Sequence, residues 1–220
     1  IFLDSNPDPA TTFSERQRLF ALPRSSWDDF DRKLISEGGG VWSRTLKTIP
    51  LSPQIRQVLD ITAEQLSPTE LISALLKAPV DLIYNGGIGT YVKASTQAHQ
   101  EANDRGNDAL RVNAADMRAR VIGEGGNLGL TQKAQIEFAQ GGGHVFTDAL
   151  DNSAGVDCSD HEVNIKILLA GPVAAGDMSD QQRVALLAAV TADVARLVLR
   201  DTYPQNQAVA HEAANATELP

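Results

Sequence analysis

Asparagine and glycine cluster three times in this 220-residue chain, as Asn85-Gly86-Gly87-Ile88-Gly89, as Glu124-Gly125-Gly126-Asn127 and as Asp148-Ala149-Leu150-Asp151-Asn152-Ser153-Ala154-Gly155. Glycine lets the main chain take positive φ and come close to a ligand, while asparagine offers a donor and an acceptor together. That combination suits a ribose or a carboxamide. A single such cluster also does no more than end a strand and start a turn. Three at successive strand ends carry further, because open parallel sheets bind ligands at the carboxyl ends of their strands.

A fourth group, Asp157-Cys158-Ser159-Asp160-His161-Glu162, holds thiol, carboxylate and imidazole side by side. Neighbouring residues on a helix or strand cannot all face one ion, and no second Cys or His stands at zinc-ligand spacing, so no metal site is expected. Nothing beside Cys158 marks it as a nucleophile, and it reads as a buried small hydrophobe. Glu124, just before a glycine turn, reads as a structural acceptor of backbone N–H groups rather than a general base.

The elements that would position these residues follow from periodicity and caps. Val80-Asp81-Leu82-Ile83-Tyr84, Arg120-Val121-Ile122-Gly123 and His144-Val145-Phe146 are short apolar strands, and a helix over 131–140 is stopped by Gly141-Gly142-Gly143. Upstream, helices are expected at 14–20 and near 26–30, then after Ser52-Pro53, then from the Ser67-Pro68-Thr69-Glu70 capping box until just before Pro79. The polar stretch 95–117 is predicted mostly helical. A last long helix opens at Ser179 with Gln182 completing its box and carries the apolar stripe Val184, Leu187, Val190, Val194, Leu197 and Val198. It should end at Tyr203-Pro204, leaving 205–220 as a polar tail. Strand, glycine turn, helix and strand in succession give an α/β class with a parallel sheet, flanking helices and a C-terminal helical segment.

Composition bounds the functions. With 42% hydrophobic and 21% charged residues the chain is that of a globular protein, and no apolar run approaches the ~20 residues of a membrane span. Nineteen basic against 28 acidic residues leave a net charge of -9, which disfavours nucleic acid and anionic lipid as partners. Cys158 alone precludes an intrachain disulfide, and no signal-like start is seen, so a cytoplasmic setting is expected. Ile1-Phe2-Leu3 before a turn-rich loop reads as the tail of a strand that begins upstream, and no Gly-x-Gly-x-x-Gly occurs, as expected if a phosphate-binding turn also lies upstream.

Two motifs then become specific. Val121-Ile122-Gly123-Glu124-Gly125-Gly126-Asn127 resembles the strand and loop of glutamate and related amino-acid dehydrogenases, the glutamate/leucine/phenylalanine/valine superfamily, and Asn152-Ser153-Ala154-Gly155-Val156-Asp157-Cys158-Ser159 resembles their later N-A-G-G-V-x-x-S motif. Stretches 1–8, 22–27, 34–41, 84–93 and 152–166 are similar to the catalytic region of the large bacterial NAD-specific glutamate dehydrogenases. The resemblance implies a partial Rossmann-like sheet, with 1–175 as the C-terminal part of an NAD-binding domain and 176–220 as a helical segment and tail. It implies NAD as cofactor, held by Asn85, Gly86, Gly87, Gly125, Gly126, Asn127 and Asn152, with Ser159 contacting the distal carboxylate of glutamate. It implies L-glutamate, 2-oxoglutarate and ammonia as reactants, the remainder of the same polypeptide as partner, and a homo-oligomer. Ala154, Asp160 and His161 depart from the superfamily pattern. No stretch matches the family's lysines and aspartate of proton relay, so no catalytic residue is expected here. The alternative is a regulatory or assembly module descended from such an enzyme and lacking its chemistry.

Overall fold

The computed structural model describes residues 1–216. Along the chain lie β1 (Phe2–Leu3), α1 (Pro9–Ala21), β2 (Gly40–Val41), β3 (Ile49–Pro50), α2 (Pro53–Leu59), β4 (Gln65–Leu66), α3 (Pro68–Leu76) and β5 (Leu82–Asn85). There follow β6 (Val92–Lys93), β7 (Val112–Asn113), β8 (Val121–Glu124), α4 (Gln132–Gln140), β9 (His144–Val145), α5 (Asp148–Asp151), α6 (Ser153–Ala175), α7 (Asp180–Ala189) and α8 (Thr191–Ala214). The class is α/β, as expected. Among the described residues the chain forms two compact units, one of residues 1–83, 89–122 and 130–145, the other of 84–88, 123–129 and 146–216.

In the first unit the caps act as the sequence indicates. Ser52 Oγ accepts from the Ile55 N–H at 3.1 Å, with Pro53 opening α2, and Ser67 and Glu70 close a capping box on α3. Ile55, Leu59 and Leu71 from these helices bury against Ile49, Leu51 and Ala78. Thr131 caps α4, which lays Ala134 and Phe138 onto Val92, Val112, Ile122 and Leu130. Each large side chain so buried contributes about 1.5–3 kcal/mol. Three strands run in the order β5-β8-β9, with β8 and β9 parallel and Val121 opposite His144. β6 and β7 form a second parallel pair. β1 pairs antiparallel with β2, and Phe2 stacks on Trp27 with ring centroids 5.0 Å apart.

The helix expected across 95–117 is absent. The segment forms three short 3₁₀ turns, His99–Ala102, Arg105–Asn107 and Ala114–Asp116, besides β7. The cause is Arg111, whose side chain is fully buried. Its guanidinium donates to the Thr90 carbonyl at 2.7 Å, to those of His99 at 3.2 Å and Asp104 at 2.5 Å, and to Asp108 Oδ1 at 2.5 Å. A segment that points the carbonyls of His99 and Asp104 and the Asp108 carboxylate at one buried cation is held wrapped around it in turns.

Glu15 on α1 is similarly enclosed, accepting from Arg18 at 2.8 and 2.6 Å and from the Asp31 N–H at 2.7 Å. The hydrogen bonds from Arg18 and then from Asp31 lower its pKa from 4.5 to about 2. A depressed carboxylate stabilises the fold above its unfolded pKa and loses that contribution as the pH falls through the folded one. Melting curves of the chain should therefore show Glu15→Gln less stable than wild type at pH 7, with the gap closing between pH 4.5 and 2. A gap independent of pH would refute the role.

In the second unit the last helix differs twice from expectation. The stripe 184–198 is split between α7 and α8 by a break at Val190. Leu187, Val190 and Val194 face Ile165 of α6 across an apolar cavity of about 460 Å³, whereas Val184 is 66% exposed. Helix α8 also continues through Pro204 to Ala214. Proline removes the donor that would meet the Arg200 carbonyl, and the helix runs on past that one lost bond. The alanines beyond it favour helix. The final part of the expected tail, 217–220, lies outside the described residues. Among the described residues no helix is long and apolar enough to cross a membrane.

Candidate functional site

The second unit gathers the loops after β5 and β8 with α5 and the start of α6. The Gly126 N–H donates to the Asn85 carbonyl at 3.0 Å, joining the first two glycine clusters. Asn152 Nδ2 donates to Asn127 Oδ1 at 2.6 Å, joining the second to the third. Asn85, Gly126, Asn127 and Asn152 therefore share one neighbourhood, with Gly86 and Gly87 exposed beside them. The third cluster is not the loop the sequence suggested, because it is helical from Asp148 onward apart from Asn152.

The glycines serve close approach rather than unusual dihedrals. None of Gly86, Gly87, Gly125 and Gly126 has positive φ. A Cβ on Gly126 would stand 1.9 Å from the Gly87 carbonyl oxygen, and one on Gly125 would stand 2.0 Å from the Tyr84 hydroxyl. The left-handed residue in this loop is Leu128, at φ 59°. Beside Gly87 there is open space.

Asn85 Nδ2 is buried with no hydrogen-bond partner, while its Oδ1 accepts from the Gly87 N–H at 3.4 Å. Glu124 is wholly buried, and its backbone N–H donates to Asp151 Oδ2 at 2.8 Å. A cavity of about 720 Å³ is lined by Asn127 and Asn152 together with Asp148, Asp157, Asp160 and Asp201. Four carboxylates make its potential negative, favouring a cationic group and opposing a second carboxylate. Ser159 is the seventh residue of α6, is exposed, and stands apart from the residues lining this cavity. It cannot cap the helix, since the N-cap position belongs to Asn152.

Cys158 is exposed rather than buried and borders the apolar cavity with Ile165 and Val194. A helix with one face toward its neighbours leaves its next residue outward, which the apolar character of a thiol does not override. Asp157 and His161, one turn apart on α6, meet Asp201 of α8 with one donor atom of each within 4.8 Å of the others. The trio is partly exposed, with His161 Nε2 3.4 Å from Asp157 Oδ1. Sequence reasoning missed Asp148, Asp151 and Leu128. A pair of acids in a first helical turn signals a helix start, and nothing local says that they also face a neighbouring loop.

Residues 1–212 match the family described as bacterial NAD-glutamate dehydrogenase, catalytic domain. The chain is 57% identical over 218 residues to the NAD-specific glutamate dehydrogenase of Pseudomonas aeruginosa, 99% of this chain and 14% of that protein. It is 56% identical over 225 residues to that of Mycobacterium tuberculosis, covering 100% and 14%, and 54% identical over 209 residues to that of Halomonas elongata, covering 95% and 13%. The chain thus spans only about 14% of the length of the first two relatives. With nearly the whole of this chain matching the family and identity above one half, the chain belongs to the bacterial NAD-glutamate dehydrogenase catalytic-domain family.

Proposed function

We propose that the chain is part of an NAD-dependent glutamate dehydrogenase, catalysing oxidative deamination of L-glutamate to 2-oxoglutarate and ammonia, and that it supplies nicotinamide and substrate contacts. The observation that carries this reading is the Asn127–Asn152 pair, two amides 2.6 Å apart at the junction of glycine loops. A carboxamide has one donor and one acceptor face, and two asparagines that trade their mutual bond for bonds to it match both. Bound NAD supplies the hydride acceptor. The chain's part is to orient the ring, with Asn85, Gly86, Gly87, Gly125 and Gly126 forming the backbone surface against it. The buried, unpartnered Asn85 Nδ2 and the open space beside Gly87 fit such a group.

Within the same reading, residues 1–175 are the C-terminal part of a Rossmann-like domain and 176–220 a helical segment. Ser159 is the contact for the distal carboxylate, on a face of α6 away from the acidic cavity. The rest of a longer polypeptide, and further copies of it, are the partners. Catalytic-domain kinship favours this over a chemically silent module.

The test is kinetic, in the full-length enzyme. Asn152→Ala should weaken NAD by about 1–3 kcal/mol with little change in the Michaelis constant for glutamate. Ser159→Ala should do the reverse, raising the glutamate constant about tenfold, equivalent to about 1.4 kcal/mol. Unchanged constants in the Asn152 variant would remove the nicotinamide assignment. An unchanged glutamate constant would remove Ser159 alone.

A further inference from the structure

We infer that Asp148 and Asp151 are positioning residues, which fix the two ends of the loop 124–128 and so preset it for the nicotinamide cofactor. The inference rests on the reading of that loop as a cofactor surface. Asp151 Oδ2 accepts from the Glu124 N–H at 2.8 Å, and Asp148 Oδ2 accepts from the Leu128 N–H at 2.9 Å. Three residues apart in one helical turn, the two carboxylates share a face and span the loop between them. Asn152, the next residue after α5, adds the tie to Asn127. One short piece of helix thereby holds the loop at residues 124, 127 and 128.

The loop needs an outside hold. Leu128 sits at φ 59°, a left-handed conformation that costs an L-residue about 1–2 kcal/mol. Gly125 and Gly126 contribute no side chains of their own to restrain the turn. An aspartate accepting a backbone N–H makes a charge-assisted bond, stronger than a neutral one. Held this way, Asn127 is already placed before ligand arrives, and less ordering entropy is lost on binding. Without the hold that cost returns at the moment of binding, so affinity for cofactor falls while the chemistry of the bound complex does not.

The experiment uses the full-length enzyme with Asp148→Ala, Asp151→Ala and their asparagine counterparts, titrated with NAD and followed by steady-state kinetics. Each alanine variant should bind NAD about tenfold more weakly with kcat changed less than about twofold, whereas asparagine, whose Oδ1 still accepts, should stay within about threefold of wild type. Amide exchange gives a readout that a general loss of stability would not mimic. Protection should fall at Glu124 and Leu128 in the alanine variants and return in the asparagine variants. Normal NAD affinity in both alanine variants, or unchanged protection at those two amides, would overturn the inference. If an alanine variant fails to fold, the asparagine variant carries the test, and an NAD affinity more than about tenfold below wild type with wild-type exchange at both amides would count against the hold. Asn127→Ala separates the two levels of the argument. Should it too bind NAD normally, the cofactor reading of the loop fails; should it lose NAD while the aspartate variants do not, only the positioning role fails.

Discussion

Gly126→Val is expected to lower affinity for NAD by at least a hundredfold, about 2.7 kcal/mol, while the melting temperature drops by only a few degrees. A Cβ at this position would stand 1.9 Å from the Gly87 oxygen and 2.9 Å from its carbonyl carbon. Backbone atoms cannot swing aside as a side chain does, so one loop or the other must move. Valine adds a branch that narrows the escape further. Both loops lie outside the two apolar clusters of the first unit, so the damage should fall on the surface proposed to meet the cofactor rather than on folding. Gly87→Ala is the control for folding alone, since a Cβ there meets no protein atom within 4 Å and should leave the melting temperature unchanged. Titration with NAD and a thermal melt on each variant decide the matter. Wild-type NAD affinity in the Gly126 variant would make this turn merely structural.

Arg111→Ala is expected to destabilise the chain by about 3–5 kcal/mol, because it leaves groups arranged around a buried cation without their partner. Asp108 and the carbonyls of Thr90, His99 and Asp104 would all lose donors. Water cannot replace the guanidinium without opening the segment. Arg111→Lys should recover little, since an ammonium cannot reproduce the planar fork that reaches several acceptors at once. Chemical denaturation of the three proteins measures the effect, and a loss under about 1 kcal/mol for alanine would show that the network is held by other contacts.

These two sites also mark where sequence was informative. The caps at Ser52, Ser67 and Ser179 are local chemistry, legible because a hydroxyl and an amide three residues on interact without help from the rest of the chain. The strands β5 and β8 were visible as short apolar runs before glycine, and β9 as one after it. Arg111 gave no such signal. Its partners lie up to 21 residues away, so a polar stretch with helical composition was wound into turns by a side chain whose burial no periodicity betrays. At the candidate site, asparagine and glycine types indicated the loops, and the joining of Asn127 to Asn152 agrees with their motif order. Asp148 and Asp151 stayed hidden because their acceptors are used across space, and Pro204 misled because a helix can run past a proline at the loss of one hydrogen bond.

The interleaving of the two units has a consequence for recombination. Their boundaries fall at five places along the chain, near residues 83, 88, 122, 129 and 145. A single crossover between two related genes therefore never exchanges one unit whole. It mixes loop 84–88 of one parent with loop 123–129 of the other, or either loop with a foreign α5. The Gly126–Gly87 approach and the Asp148 and Asp151 ties would then join residues with different ancestries. Chimaeras with breakpoints between 88 and 146 should fail more often than those cut before 83, even at equal numbers of substitutions, and shuffled libraries from two relatives would display that bias directly.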